Sequence, residues 1–208
     1  MVRRINEAAQ DEPKGATMRA FLRLCAISCV AWFSAAGAAE TSMWGKYAGT
    51  ATEQFYLDSS GNSQTVILSE AEMKGTFGAA RLSVLSQFVP DFGLTVCAQG
   101  EIPLNMAFAR SVATFEDYSQ LFVSYDSGWI CATPGPAGAA SYRGKVNGHV
   151  VGGTGHFAGA SGDIESDFGG SDLSGLFVVN CPVCAPEVPF PAYGSFAGSL
   201  KGTLLLPK

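Results

Sequence analysis

No stretch of this chain repeats its apolar residues at the spacing of a long amphipathic helix, whereas strict alternation recurs from Lys46 almost to the C-terminus. A period of two sends successive side chains to opposite faces of a strand, so the chain is constrained to pleated segments with one buried face. In GKYAGTATEQFYL, Tyr47, Gly49, Ala51, Glu53, Phe55 and Leu57 share one face, and Lys46, Thr50, Thr52 and Gln54 share the other. DSSGN at 58–62 is a turn cluster. TVILSEAEMKGTF gives a second, bulged strand ending at Gly78, and RLSVLSQF groups Leu82, Val84 and Phe88. Beyond Pro90 comes a loop carrying Cys97, then IPLNMAF with Ile102, Leu104, Met106 and Phe108 on one side. SQLFVSYD and GWIC read as a hairpin that turns at Asp126-Ser127-Gly128, and TPGPAGA at 133–139 reads as a loop. In SYRGKVNGHVV, Tyr142, Gly144, Val146, Gly148 and Val150 alternate against Arg143, Lys145, Asn147 and His149. SGDIESDF turns Ile164, Ser166 and Phe168 inward and its three acids outward; LSGLFVV follows, and SFAGSLKGTLLL aligns Phe196, Gly198, Leu200, Gly202, Leu204 and Leu206.

Eight or nine short strands with no helix between them predict an all-β fold, a barrel or a sandwich. Glycines at Gly144, Gly148, Gly198 and Gly202 share faces with bulky inward residues, as required where strands coil tightly. The expectation is therefore a single closed antiparallel β-barrel of about eight strands. Composition agrees: 25 Gly and 14 Phe accompany only 15% charged residues.

The N-terminus reads as two segments ahead of that domain. Residues 1–17 are polar, mixed in charge and without apolar period, and are expected to precede the natural start at Met18. Residues 18–39 carry Arg19 and Arg23, an apolar run from Leu24 to Phe33, and small residues from Ala36 to Ala39, the layout of a cleaved export signal. The run is shorter than the roughly 20 residues of a membrane span, so no span is expected. A lipid anchor at Cys29 is the lesser alternative, because apolar residues continue past it. The expected mature domain is 40–208, exported to a periplasm or to the exterior, with a Pro/Cys loop at 180–193. Removing residues 1–39 leaves eight Lys/Arg and fifteen Asp/Glu, a net charge of −7 with no basic cluster. That excludes nucleic acid as the principal partner.

Export leaves Cys97, Cys131, Cys181 and Cys184 in an oxidising compartment, where an even number predicts disulfides. Of the three pairings, Cys97–Cys131 with Cys181–Cys184 is expected: the first bridges segments flanking a pair of strands, the second closes the tight loop NCPVCAP. Prolines at 182, 186, 189 and 191 follow instead of a helix, which argues against a redox CxxC. No further ligands stand at suitable spacing, so neither a metal nor a cofactor is expected.

The block VVGGTGHFAGASGDIESDF, Val150–Phe168, has five glycines among its first thirteen residues. A dinucleotide fingerprint needs a third glycine where Ala158 stands, and a helix where the residues alternate as a strand. A phosphate loop needs Gly-Lys-Ser/Thr, which is absent. The block reads instead as a corner: a strand ends at Val151, Gly152, Gly153, Gly155, Gly159 and Gly162 reverse the chain, Phe157 plugs the barrel end, and a strand begins near Ser161. His156 sits at that corner in solvent, and His149, seven residues earlier, points elsewhere.

This block resembles the signature of the allene oxide cyclase and dirigent barrel superfamily, especially its uncharacterised secreted bacterial members. The early YAGTATEQF strand, MKGTFG, the spaced central cysteines and the terminal GSFAGSLKGTL extend the likeness over roughly residues 44–206. The resemblance implies an eight-stranded barrel whose interior takes a small apolar molecule, and a trimer by analogy. It implies either an exported binding or envelope module or, alternatively, a cofactor-free cyclase or isomerase acting by orientation within a greasy cavity. No catalytic residue transfers, since the glycine block is not catalytic. The residues themselves offer Glu53 as a candidate catalytic carboxylate, whose burial on an inward face would raise its pKa. Tyr47, Phe55, Arg110, Tyr125, Tyr142, Ser166 and Phe168 are the candidate cavity residues, with Arg110 a possible partner for Glu53.

Overall fold

The computed structural model describes residues 38–57, 63–135, 140–172 and 192–207, with the side chains of 55–57, 63–65, 172 and 192 left aside. Residues 1–37, which hold nearly all of the expected signal peptide, together with Cys181, Cys184 and the segment LSGLFVV, lie outside these residues. The described chain forms eight strands: β1 Ala39–Leu57, β2 Ser63–Gly75, β3 Gly78–Pro90, β4 Ile102–Phe115, β5 Gln120–Pro134, β6 Ala140–Gly153, β7 Ser161–Asp172 and β8 Ala192–Leu206. Each pairs antiparallel with its sequence neighbour, and β8 returns to β1, closing a barrel in the order β1 to β8. No helix among the described residues is long and apolar enough to cross a membrane. Ala39 pairs with Leu206 at the start of β1, and Ala192 and Tyr193, expected in the Pro/Cys loop, belong to β8.

The alternation sets the inward faces of β1, β6, β7 and β8 as their sequences require. Met43, Tyr47 and Glu53 are buried in β1, Val146 and Val150 in β6, Ile164 and Ser166 in β7, and Leu200 and Leu204 in β8. On the outer face Glu165 bridges Lys145 at 2.8 Å and Lys201 at 2.9 Å across three strands. Partly exposed cross-strand ion pairs of this kind add little stability.

Two departures come from single extra residues. Phe88 lies opposite Met106 and Gln87 opposite Phe108, so Ala107 is a β-bulge that shifts the phase of β4. Beyond it the buried set becomes Ala109, Ser111, Ala113 and Phe115, and Arg110 points outward, exposed, donating from Nη1 to the Ala109 carbonyl at 2.8 Å. Arg110 is therefore not a cavity residue. The expected hairpin at Asp126-Ser127-Gly128 is likewise a continuous strand, β5, with its bulge at Asp126. Gly128 is needed there because a Cβ would lie 2.6 Å from Val146 Cγ1 and 2.9 Å from the Lys145 carbonyl.

The two ends of the barrel differ. At one end the connections are short: Thr76-Phe77, the turn 116–119 and the glycine corner. In that corner β6 ends at Gly153, Gly155–Phe157 forms one 3-10 turn, and β7 starts at Ser161. Gly152, Gly155, Gly159 and Gly162 take positive φ, while Gly153 keeps negative φ but packs its α-carbon against Phe157 and the Gln120 carbonyl. Gly162 shows why no other residue suits: φ is +142°, and a Cβ there would fall on the Thr203 carbonyl. The corner drives Phe157, 3% exposed, into the barrel mouth against Phe77 and Phe115, with ring centroids 5.3 and 4.7 Å apart. This aromatic plug closes the end.

At the other end lies the eleven-residue connection 91–101, between β3 and β4. That loop is fastened to the barrel by the Cys97–Cys131 disulfide, Cα atoms 5.4 Å apart. Beside it Arg143 Nη2 reaches Glu101 at 2.8 Å and the guanidinium lies 5.3 Å over the Trp129 ring. The aromatic plug is expected to be a main stability element: Phe157→Ala should lower unfolding free energy by about 3–5 kcal/mol. Urea unfolding monitored by circular dichroism tests this, and a loss below about 1 kcal/mol would show that the end is closed by other contacts.

Candidate functional site

Among the described residues, side chains fill the barrel interior at the plugged end, and a cavity of about 90 Å³ lies toward the end that carries the 91–101 loop. At roughly 10–15 Å³ per water site, this has room for several waters or a small apolar group. Its walls are Leu82, Val84, Val146 and Leu200, with Phe88, Phe168 and Phe196 as the aromatic surface. Among the described lining residues, those with polar side chains all carry hydroxyls: Tyr47, Tyr125, Tyr142, Ser69, Ser86 and Ser166. Among the described residues no Asp, Glu, His, Lys or Arg lines the cavity.

The strand pairing explains how those groups meet. Tyr47 on β1 stands opposite Gly198 on β8, which stands opposite Phe168 on β7, so three strands bring ring, gap and ring side by side. A Cβ at Gly198 would lie 2.5 Å from the Tyr47 hydroxyl and 2.6 Å from its Cζ; the missing side chain is the seat for the phenol ring. Tyr47, 9% exposed, places its hydroxyl 2.7 Å from Ser166 Oγ, and Ser166 Oγ donates to the Ser199 carbonyl at 3.1 Å. Tyr125 shares a hydrogen bond of 3.1 Å with Ser111, and Tyr142 donates to the Ser195 carbonyl at 3.1 Å.

Of the residues singled out from sequence, Tyr47, Tyr125, Tyr142, Ser166 and Phe168 converge on this cavity. Phe55 lies in β1 opposite Thr65, and its side chain is outside the described residues. Glu53 is buried, 6% exposed, on the same face of β1 as Ala51 and two residues nearer the long-loop end, but it is not in the cavity wall. His156 is 85% exposed with Nδ1 3.2 Å from Asp117 Oδ2, and His149 Nδ1 lies 2.8 Å from Asp126 Oδ2 on the outer wall. Cys97, Glu101 and Cys131 come within 4.8 Å of one another, but the two sulfurs are bonded together and offer no thiolate to a metal. Ser69 and Ser86 were not singled out from sequence. Their only signal was position: Ser69 two residues before Ala71, Ser86 two after Val84, each on an inward face.

Burial dominates the electrostatics. Loss of water around Tyr47 pushes its pKa up from 10.0 to about 12, against the lowering effect of its bond to Ser166, and burial pushes Tyr125 up in the same way. Both phenols stay neutral well past physiological pH, so the cavity presents uncharged hydroxyls.

These features define a closed antiparallel barrel with a neutral, hydroxyl-lined interior pocket. No family model matches the chain, and no curated protein matches it. Among solved structures it is similar to the one described as "Structure of the pterocarpan synthase dirigent protein GePTS1", at 11% identity and a TM-score of 0.30, over 78% of this chain and 85% of that one. At that distance no residue role is taken from it.

A phenol that holds its proton more tightly when folded stabilises the fold fully below pH 10, and that contribution is lost as pH rises from 10 toward about 12. Urea midpoints should therefore fall across this window, and Tyr47→Phe should flatten the fall. An equally steep fall in the variant would mean that Tyr47 titrates as it does in the unfolded chain.

Proposed function

We propose that this is an exported barrel that binds a small, neutral, apolar molecule in the cavity at its long-loop end. The observation that carries the reading is the contrast between the two ends: aromatic side chains fill one, while the other keeps a hollow walled by rings, aliphatic groups and neutral hydroxyls. Core space is normally filled to crystal-like density, so a polar-edged hollow in an otherwise packed interior is the usual form of a ligand site. A charged ligand fits poorly, because the described wall supplies no cation for a carboxylate and no anion for an amine. The superfamily likeness read in the glycine block supports the same role, and a homotrimer is its corollary.

Native mass spectrometry of protein purified from its own host should show a small non-covalent mass that is released on activation. In chemical-shift titrations of emptied protein, toluene should move resonances of cavity residues at concentrations where benzoate does not. A bare chain together with no response to toluene would sink the proposal.

Export is part of the proposal. It is supported by the Cys97–Cys131 disulfide, which persists in oxidising compartments, and by the signal-like layout of 18–39. N-terminal sequencing of the secreted or periplasmic product should begin at residue 39 or 40; a product still carrying Arg19 would refute cleavage.

A cofactor-free cyclase or isomerase is the second reading, and Glu53 is what favours it, being a buried carboxylate on the cavity's own strand face. General acid–base work needs that carboxylate within hydrogen-bond reach of the bound molecule. The cavity wall as described has only hydroxyls, which places binding first.

A further inference from the structure

We propose that the cavity prefers a ligand that donates a hydroxyl or N–H hydrogen to Tyr47 Oη over one that offers only an acceptor oxygen; this rests on the binding role proposed above. The reason is the direction of a short hydrogen-bond chain. The Ser199 carbonyl can only accept, so the one hydrogen of the Ser166 hydroxyl is directed to it at 3.1 Å. Ser166 Oγ is then the acceptor in its 2.7 Å contact with Tyr47, and the phenol must be the donor. Tyr47, Ser166 and Ser199 thus form a one-way relay from the cavity wall into the backbone, with both hydrogens used. What remains on Tyr47 Oη is acceptor capacity. Tyr142 runs in the same sense, its hydroxyl donating to the Ser195 carbonyl.

The relay can reverse, but at a cost. If Ser166 donated to Tyr47 instead, the phenol hydrogen would be freed for a ligand carbonyl while the Ser199 contact was lost. An acceptor-only ligand therefore forfeits about one hydrogen bond relative to a donor, a discrimination of roughly two- to tenfold in affinity. The seat made by Gly198 limits the alternative of swinging Tyr47 away, since the ring is already pressed onto the β8 backbone. Ser69 and Ser86 hydroxyls can act in either sense, so the preference originates at the tyrosine side of the cavity.

Cyclohexanol and cyclohexanone match in ring size and differ in carrying the hydrogen, which makes them suitable probes. Affinities are measured by chemical-shift titration for the purified protein and for two variants. The native protein should bind cyclohexanol two- to tenfold tighter than cyclohexanone. Tyr47→Phe should bring the ratio close to one. Ser166→Ala removes the acceptor that holds the phenol hydrogen, so cyclohexanone should gain affinity and the ratio should fall or invert. A ketone bound as tightly as the alcohol by the native protein would overturn the proposal, as would an alcohol preference unchanged in both variants. Should Tyr47→Phe fail to fold, the Ser166→Ala ratio alone decides. Binding of neither compound would overturn the cavity's binding role itself, which is a different result from equal binding of both.

Discussion

The pairing of β8 with β1 is the constraint on which the rest depends. It runs from Ala39 opposite Leu206 to Glu53 opposite Ala192, and it converts a coiled sheet with two exposed edges into a barrel with none. Closure at eight strands brings neighbouring backbones close on the inward side, and that is where the chain spends its glycines. A Cβ on Gly49 would fall on the Glu70 carbonyl, and one on Gly198 would lie 2.5 Å from the Asp167 carbonyl. The inward glycines thus allow the curvature, and the curvature in turn puts Tyr47, Ser166 and Phe168 around one space.

An antiparallel barrel with an even number of strands sorts its connections by end, and here the sorting separates the aromatic plug from the cavity. The end with tight turns carries Phe77, Phe115 and Phe157 and is closed as a core would be. The other end carries the cavity, and its 91–101 loop is held by a disulfide and by Glu101–Arg143 pairing instead of by core burial. Loops on such a rigid frame can differ without disturbing the closure, the usual division of labour between scaffold and site. The glycine corner belongs wholly to the first end. Its five glycines and Phe157 serve the plug, and His156 merely stands outside it.

Much of this was legible in the sequence because a regular strand has only one degree of freedom in its pattern. Once Tyr47 is inward, Gly45, Gly49 and Glu53 follow, and the same holds for Val146 on β6 and Ile164 on β7. Legibility fails where a residue is inserted without a mark. Nothing about Ala107 announces a bulge, yet it reverses every side chain after it, which is why Arg110 reads as inward and stands outside. Asp126-Ser127-Gly128 has the composition of a turn, but Gly128 is there for close approach to Val146, and the strand runs through. The inward serines were invisible for another reason: a small neutral residue fits either face, so only register tells that Ser69 and Ser86 edge the cavity.

The outward turn of Arg110 has a chemical consequence. With the guanidinium inside, the cavity would hold a fixed cation, an anionic ligand would be favoured, and a buried carboxylate such as Glu53 would be kept ionised by its partner. With it outside, the described wall has only hydroxyls, and the two most buried phenols are held neutral by loss of water. Such a wall stabilises little developing charge. On the proposed binding role it would select by shape and by the sense of a few hydrogen bonds, and those bonds are fixed in direction by carbonyls of β8 that can only accept. On that proposal, the backbone that closes the barrel would also set the polarity of what the barrel can hold.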